Sequence, residues 1–374
     1  MARRSRTIQT APVSWRDGVH LTGTPIWCDA RRRRDVCFLS SADRVGRAGH
    51  GQLIGTAITL ALLDAAGAGH LAVPVRQRFT LGTVRLELIP SGRGFGAAAL
   101  HADVAGRTVL YAGAVRTSSG GVGDAAELRT CDAVVVTAPY GGPHRRFPPL
   151  AQVIAAAIDW TRAQLAAGRR PVLLVDTVLD GLEVASRLAA EDIAIAGSRA
   201  LREAGLRIAE LVPPPQIVDG EVAIGRSITP RIGSDPALAA PRLAAGSQAF
   251  PPVPGRGDAA SGIPAMPAPG REPRAIVWLD ADRAGLARNL GDRPCTTALI
   301  SARALASTAG CDAGFAWASA ADHAQLLGWI EATSARDVLV TGAGAEAIVA
   351  ALGARARVIG PPQQMPLFPR EATS

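Results

Sequence analysis

Six histidines, five cysteines and 32 acidic residues are the groups with which this 374-residue chain could bind a metal, carry protons or attack an electrophile. Their spacing offers none of the usual arrangements. His20, His50, His70, His101, His144 and His323 form no HxH and no i, i+4 pair, so no helix or strand presents two imidazoles to one ion. Cys28, Cys37, Cys131, Cys295 and Cys311 stand singly, without a CxxC, and read as small apolar side chains in a reducing compartment. His50 reads as part of a helix start, and His144 as a solvated residue after the Pro143 turn. The glycine-rich stretches Gly92-Arg93-Gly94-Phe95-Gly96 and Gly342-Ala343-Gly344 lack the full spacing of a dinucleotide fingerprint or a P-loop.

The informative pattern is one of frames without their chemistry. Residues 90–115, PSGRGFGAAALHADVAGRTVLYAGAV, give a glycine-punctuated loop and a strand pair. Residues 38–51, FLSSADRVGRAGHG, follow a short apolar strand. Further along come CDAVVVTAPYGGP at 131–143, PVLLVDTVLDGLE at 171–183, FAWASAADHAQLL at 315–327 and DVLVTG at 337–342. In this order the segments resemble the metallo-β-lactamase-fold nucleases with a β-CASP-like cap. The resemblance runs along nearly the whole chain and is closest to the bacterial DNA-ligase-associated, or mRNA 3′-end-processing-like, exonucleases.

That resemblance implies metal positions that this chain leaves vacant. Where the family has P-A-G-H, Arg93 takes the histidine position, and where a strand ends in G-D, Ala114 takes the aspartate position. The HxHxDH cluster gives way to a segment holding Ser41 and Asp43. Thr137 stands for an acidic residue of CDxxIxEATFGxP. The histidine of F-x-x-S-D-H-A-D falls on Ala320, or on Ala321 with another gap choice, and His323 lies two or three places away. Gly342 replaces the histidine of V-x-x-T-H-G. The basic and amide groups of A-L-G-K-A-Q-R, beside the family's nucleic-acid cleft, become Asp180, Leu182 and Glu183.

Phosphodiester hydrolysis on such a fold uses two divalent ions, zinc or manganese, held by imidazole and carboxylate. Ser41, Ala114, Ala320 and Gly342 supply neither group, and a guanidinium about 4 Å from a dication would cost roughly 8 kcal/mol at an effective dielectric near 20. The expectation is therefore a catalytically silent member with no cofactor, serving as a scaffold or partner subunit in nucleic-acid processing, whether RNA processing or DNA repair. By analogy its partner would be an active nuclease, a DNA ligase or a helicase. The alternatives are a divergent metal-dependent DNA or RNA exonuclease with a rebuilt site, a hydrolase without metal, and a decaying paralogue. A buried Arg93 needs a counter-charge; Asp43, Asp322 and Asp132 are the candidates, in that order.

The net charge of +8 is carried by arginines. Arg31, Arg32, Arg33 and Arg34, with Arg3, Arg4, Arg6, Arg145 and Arg146, could track a phosphate backbone. Arginine bias from a GC-rich genome, or a solvated loop, would give the same run. No stretch of about 20 apolar residues suggests a membrane span, and the basic start Met1-Ala2-Arg3-Arg4 lacks the apolar core of a secretory signal; the expected location is cytoplasmic.

Strand signals dominate the first third and helices lie between them, which predicts an α/β protein; the resemblance makes it an αββα sandwich with an inserted α/β cap. A helical face is expected over 51–66 and another from Leu150 to Ala167. The sandwich is expected over 1–170 and 305–374, and the cap over 171–304. Within the cap, the Pro/Gly/Ala-rich residues 234–274 are expected to be a flexible insertion without regular structure.

Overall fold

Short apolar and β-branched runs, punctuated by glycine and aspartate turns, assemble into three sheets. The computed structural model describes residues 11–43, 49–67, 69–118, 121–212, 217–219, 275–290 and 294–361. The insertion expected at 234–274 and the N-terminal arginines Arg3, Arg4 and Arg6 lie outside these residues.

In chain order the first sheet comprises β1 (Val13–Trp15), β2 (Val19–Leu21), β3 (Ile26–Cys28), β4 (Val36–Phe38), β5 (Gln52–Gly55) and β6 (Leu71–Ala72), with α1 (Ala57–Leu62) before the last strand. The second takes β7 (Arg78–Leu81), β8 (Val84–Pro90), β9 (Ala98–Val104), β10 (Arg107–Gly113) and β11 (Ala133–Thr137). The chain then leaves through α2 (Leu150–Ala166) to a wholly parallel third sheet. This sheet holds β12 (Arg170–Val175), β13 (Ile195–Gly197), β14 (Ile217–Asp219), β15 (Ala275–Leu279), β16 (Cys295–Ser301) and β17 (Ala313–Ala316), in the order β14-β13-β15-β12-β16-β17. Helices α3 (Val178–Ala189), α4 (Arg199–Ile208) and α5 (Arg283–Leu290) connect its strands. The chain returns with α6 (His323–Ala332), β18 (Asp337–Thr341), α7 (Ala345–Leu352) and β19 (Ala356–Val358), which extend the second sheet to the order β19-β18-β11-β10-β9-β8-β7.

The first two sheets pack face to face. Leu21, Ile26, Phe38 and Ile54 from one meet Leu86, Leu88, Leu100, Tyr111 and Val135 from the other in one buried cluster. Alternation decides which side chains enter: Leu86 and Leu88 point inward, while Arg85 is exposed on the other face. Strand β11 has no such alternation because both its faces are covered: Val134 and Val136 pack under Leu326 and Ile330 of α6 and Ile348 of α7. On the outside of the first sheet, Cys37, Leu39 and Leu53 lie with Leu60 of α1. One face of the third sheet buries Leu173, Val175 and Val277 against α2, α3 and α4, and that cluster also takes in Ala61, Leu62 and Phe95. The architecture is mixed α/β, as the sequence predicts.

Three boundaries differ from the sequence reading. Gln52–Gly55 is a strand, paired parallel between β4 and β6, so the helix expected from residue 51 starts only at Ala57, capped by Thr56. The helix after β12, which the sequence places from about Leu182, starts at Val178, where the Thr177 hydroxyl accepts the Asp180 amide at 3.1 Å. The third sheet, with α2 packed on it, spans Leu150 to Ala316 rather than 171–304; Phe315 pairs with Ile300 inside it. Among the described residues no helix is long and apolar enough to cross a membrane.

Two imidazoles titrate below their usual range, mainly because burial disfavours the charged ring: His50, whose Nδ1 accepts the Arg34 amide at 3.2 Å, and His101 on β9. The fold thus prefers them neutral. As pH falls through the unfolded value near 6.5, the unfolded chain gains protons that the folded chain refuses, and stability drops. The melting temperature should fall between about pH 7.5 and 5.5, and less so in His50→Asn/His101→Asn; an identical fall in both proteins would contradict this.

Candidate functional site

The positions singled out in the sequence lie at one end of the two packed sheets, because β10, β11 and β18 are parallel and end together. Gly113 of β10 pairs with Val136, and Thr137 of β11 pairs with Thr341, which precedes Gly342. From the first sheet, Ser40 accepts the Ala98 amide at 2.9 Å, which sets Ser41 beside the same end. The segment with Ala320 joins it through the Ala321 amide, 2.6 Å from the Val115 carbonyl. Gly342 has φ +99°, and a Cβ there would lie 3.2 Å from Thr137 Cγ2 and 3.3 Å from the Ala138 backbone, so a side chain at this position would be strained.

Arg93 enters this end from a loop that only glycine can make. Gly92 has φ +75°, and a Cβ on it would sit 2.1 Å from the Arg116 carbonyl oxygen. That close approach lets the Arg116 amide reach Ser91 O at 2.9 Å, so the two arginines enter side by side. Arg93 Nη2 donates to Asp43 Oδ2 at 2.5 Å, and Nη1 to Asp180 Oδ1 at 3.2 Å. Arg116 forms a two-pronged pair with Glu183, at 3.0 and 2.8 Å, with both side chains at most 2% exposed.

The carboxylates have further support. Asp43 accepts the Ser41 hydroxyl; Asp180 also accepts Trp317 Nε1 at 3.2 Å and the Thr177 hydroxyl at 2.6 Å; Glu183 accepts the Val122 amide at 2.9 Å. Asp180 and Glu183 are three residues apart in the first half of α3, so one helical face presents both, and its N-terminus favours negative charge. Burial by itself would lower the Arg93 pKa, but Asp180 and Asp43 outweigh it and hold the guanidinium above its ordinary value. Burial likewise raises the Tyr140 phenol, whose oxygen lies 3.0 Å from Ser319 Oγ, so it stays protonated at neutral pH.

The residues present do not fit a dinuclear zinc or manganese centre. Two guanidiniums and three carboxylates already satisfy one another at these strand ends, and Ser41, Ala114, Thr137, Ala320 and Gly342 offer no imidazole or carboxylate. Among the described residues no group of three or more His, Cys, Asp or Glu could hold a metal ion.

The expected partner order for Arg93 holds for Asp43 and fails for the others. Asp322 instead caps α6, accepting the Gln325 amide at 3.0 Å, and Asp132 accepts the backbone and hydroxyl of Thr108, each at 2.8 Å. The second partner is Asp180, which the sequence marks only as a misplaced negative charge. Arg116 has no sequence signal: an arginine just past a strand reads as a surface residue, and its partner lies 67 positions away. His323 Nδ1 contacts the Gly141 carbonyl at 2.6 Å, and Arg145 and Arg146 are exposed in a separate loop.

No family model and no curated protein matches the chain. Among solved structures it is similar to a protein of unknown function from Enterococcus faecalis V583, with a TM-score of 0.48 and 10% identity over 82% of this chain and 74% of that one. A likeness at that level carries no argument about fold family or function.

Removing one partner of a buried pair leaves an uncompensated charge, whereas removing both does not. Glu183→Leu should destabilise the protein by about 3–5 kcal/mol in denaturant unfolding, and Glu183→Leu/Arg116→Met should recover most of that loss. A double variant as unstable as the single would show that the pair is not a closed unit.

Proposed function

We propose that this chain is a catalytically silent member of the metallo-β-lactamase/β-CASP-like nuclease group and works as a scaffold or partner subunit in nucleic-acid processing. Two face-to-face sheets with helices outside, carrying a parallel α/β insertion, fit the sandwich and cap that the sequence resemblance implies. One observation carries the reading: Arg93 and Arg116, buried at the shared strand ends, are matched by Asp43, Asp180 and Glu183. In an active relative that space would bind two cations, activate water and steady the phosphate. Here fixed positive charge remains, but a guanidinium has no free orbital to polarise water and stays protonated at any working pH.

The insertion changes role with the site. Asp180 and Glu183 come from its helix α3, so the charges that close the pocket also tie the insertion to the sandwich. Buried and neutralised, these two side chains offer a phosphate backbone nothing to bind, which moves any nucleic-acid contact elsewhere on the protein. A partner nuclease, ligase or helicase would supply the chemistry.

The test is metal content together with cleavage. Protein purified without chelator should carry well under one equivalent of zinc or manganese and leave labelled DNA and RNA intact when either metal is added. Arg93→His should behave the same way, because Ala114, Ala320 and Gly342 still lack ligands. About two equivalents of bound metal, or metal-dependent cleavage by either protein, would refute the silent reading.

A further inference from the structure

Arg16 and the run Arg31, Arg32, Arg33 and Arg34 come from different turns, yet the fold draws them onto one exposed ridge at the first sheet. The β1–β2 turn and the β3–β4 connection touch at Gly18, where φ is +151° and a Cβ would lie 2.6 Å from Ala30 Cα. Hydrogen bonds then pin the connection along its length. The Arg31 amide donates to Asp17 O at 2.7 Å, Arg34 Nη2 to Arg16 O at 2.5 Å, and the Gly51 amide to Arg34 O at 2.9 Å. The Arg34 guanidinium lies 3.7 Å over the Trp27 ring, which also stacks on His20 at 4.6 Å. Of these arginines only Arg32 has a carboxylate partner among the described residues, an exposed one, Asp17 at 3.1 Å. Arg31 and Arg33 are exposed and meet none.

We propose that this ridge binds the phosphate backbone of a single-stranded nucleic acid. The proposal rests on the nucleic-acid reading above but not on the silence of the pocket. Arg31 and Arg33, exposed two residues apart on this connection, can each offer a phosphate two parallel N–H bonds. Because the backbone under them is already fixed, little conformational entropy is lost on binding. The ridge is a loop raised on the outside of a sheet: a flexible strand can follow it, whereas a rigid duplex would touch it at few points. Trp27 is engaged by Arg34 and His20 and does not offer a free face to a base, so recognition runs through phosphate alone. It follows that RNA and DNA strands of any sequence should bind alike.

Fluorescence anisotropy with labelled single-stranded RNA, single-stranded DNA and duplex DNA, over about 50 to 200 mM salt, tests this on the full chain. Both single strands should bind comparably and more tightly than the duplex. Arg31→Glu/Arg33→Glu should bind at least about tenfold more weakly and lose about 1.4 units of the log–log salt slope, the amount for two phosphate contacts to a single strand. Both side chains are exposed, so the variant should keep its melting temperature. Arg288→Glu/Arg357→Glu, at two exposed arginines of α5 and β19, makes the same change of charge away from the ridge; it is the control and should bind as the parent does. Unchanged binding by the first variant, preference for duplex, or binding to phosphatidylserine vesicles in place of oligonucleotides would overturn the proposal. Metal-dependent cleavage with binding intact would overturn only the silent reading.

Discussion

A guanidinium taken out of water must find its counter-charges, and the structure is organised around meeting that demand twice. Arg93 is held by Asp43 from the sandwich and Asp180 from the insertion; Arg116 is held by Glu183 alone, two-pronged. An unpaired ion in this position would cost several kcal/mol, a large part of the stability of any domain. The close approach at Gly92 and the placement of Asp180 and Glu183 on α3 bring these pairs together.

Such pairs are weak evidence for net stability, since well-packed apolar groups of the same volume often do as well. What they provide is geometry. Two carboxylates three residues apart on one helix can meet two arginines from adjacent loops in only one register, so α3 is keyed to the sandwich rather than merely packed on it. The same arrangement commits Asp43, Asp180 and Glu183 to guanidinium partners.

Much of this was legible in the sequence, for physical reasons that differ by element. The apolar run Ala133–Thr137 is bounded and doubly covered, so its strand character shows without alternation. Arg93 stood out because a charged residue between glycines, in a frame that implies a ligand there, must be either exposed or paired. Other features were not legible. Leu53, Ile54, Ile58 and Leu60 satisfy a three-to-four spacing, yet the first two belong to a strand, because short apolar runs do not distinguish the two periods. Arg116 is unremarkable locally and Glu183 stands out only as a replaced position of the resemblance; the long-range contact makes both of them core residues. The approach of Arg16 to the arginine run depends on Gly18 fitting against Ala30, and no local pattern encodes that contact.

The most direct measurement is a crystal structure from zinc-containing solution, with anomalous data collected at the zinc edge. The account predicts no anomalous peak between the strand ends at Ser41, Ala114, Thr137 and Gly342, and continuous density from Arg93 to both Asp43 and Asp180. A strong peak there, with Arg93 swung away from its two carboxylates, would contradict it.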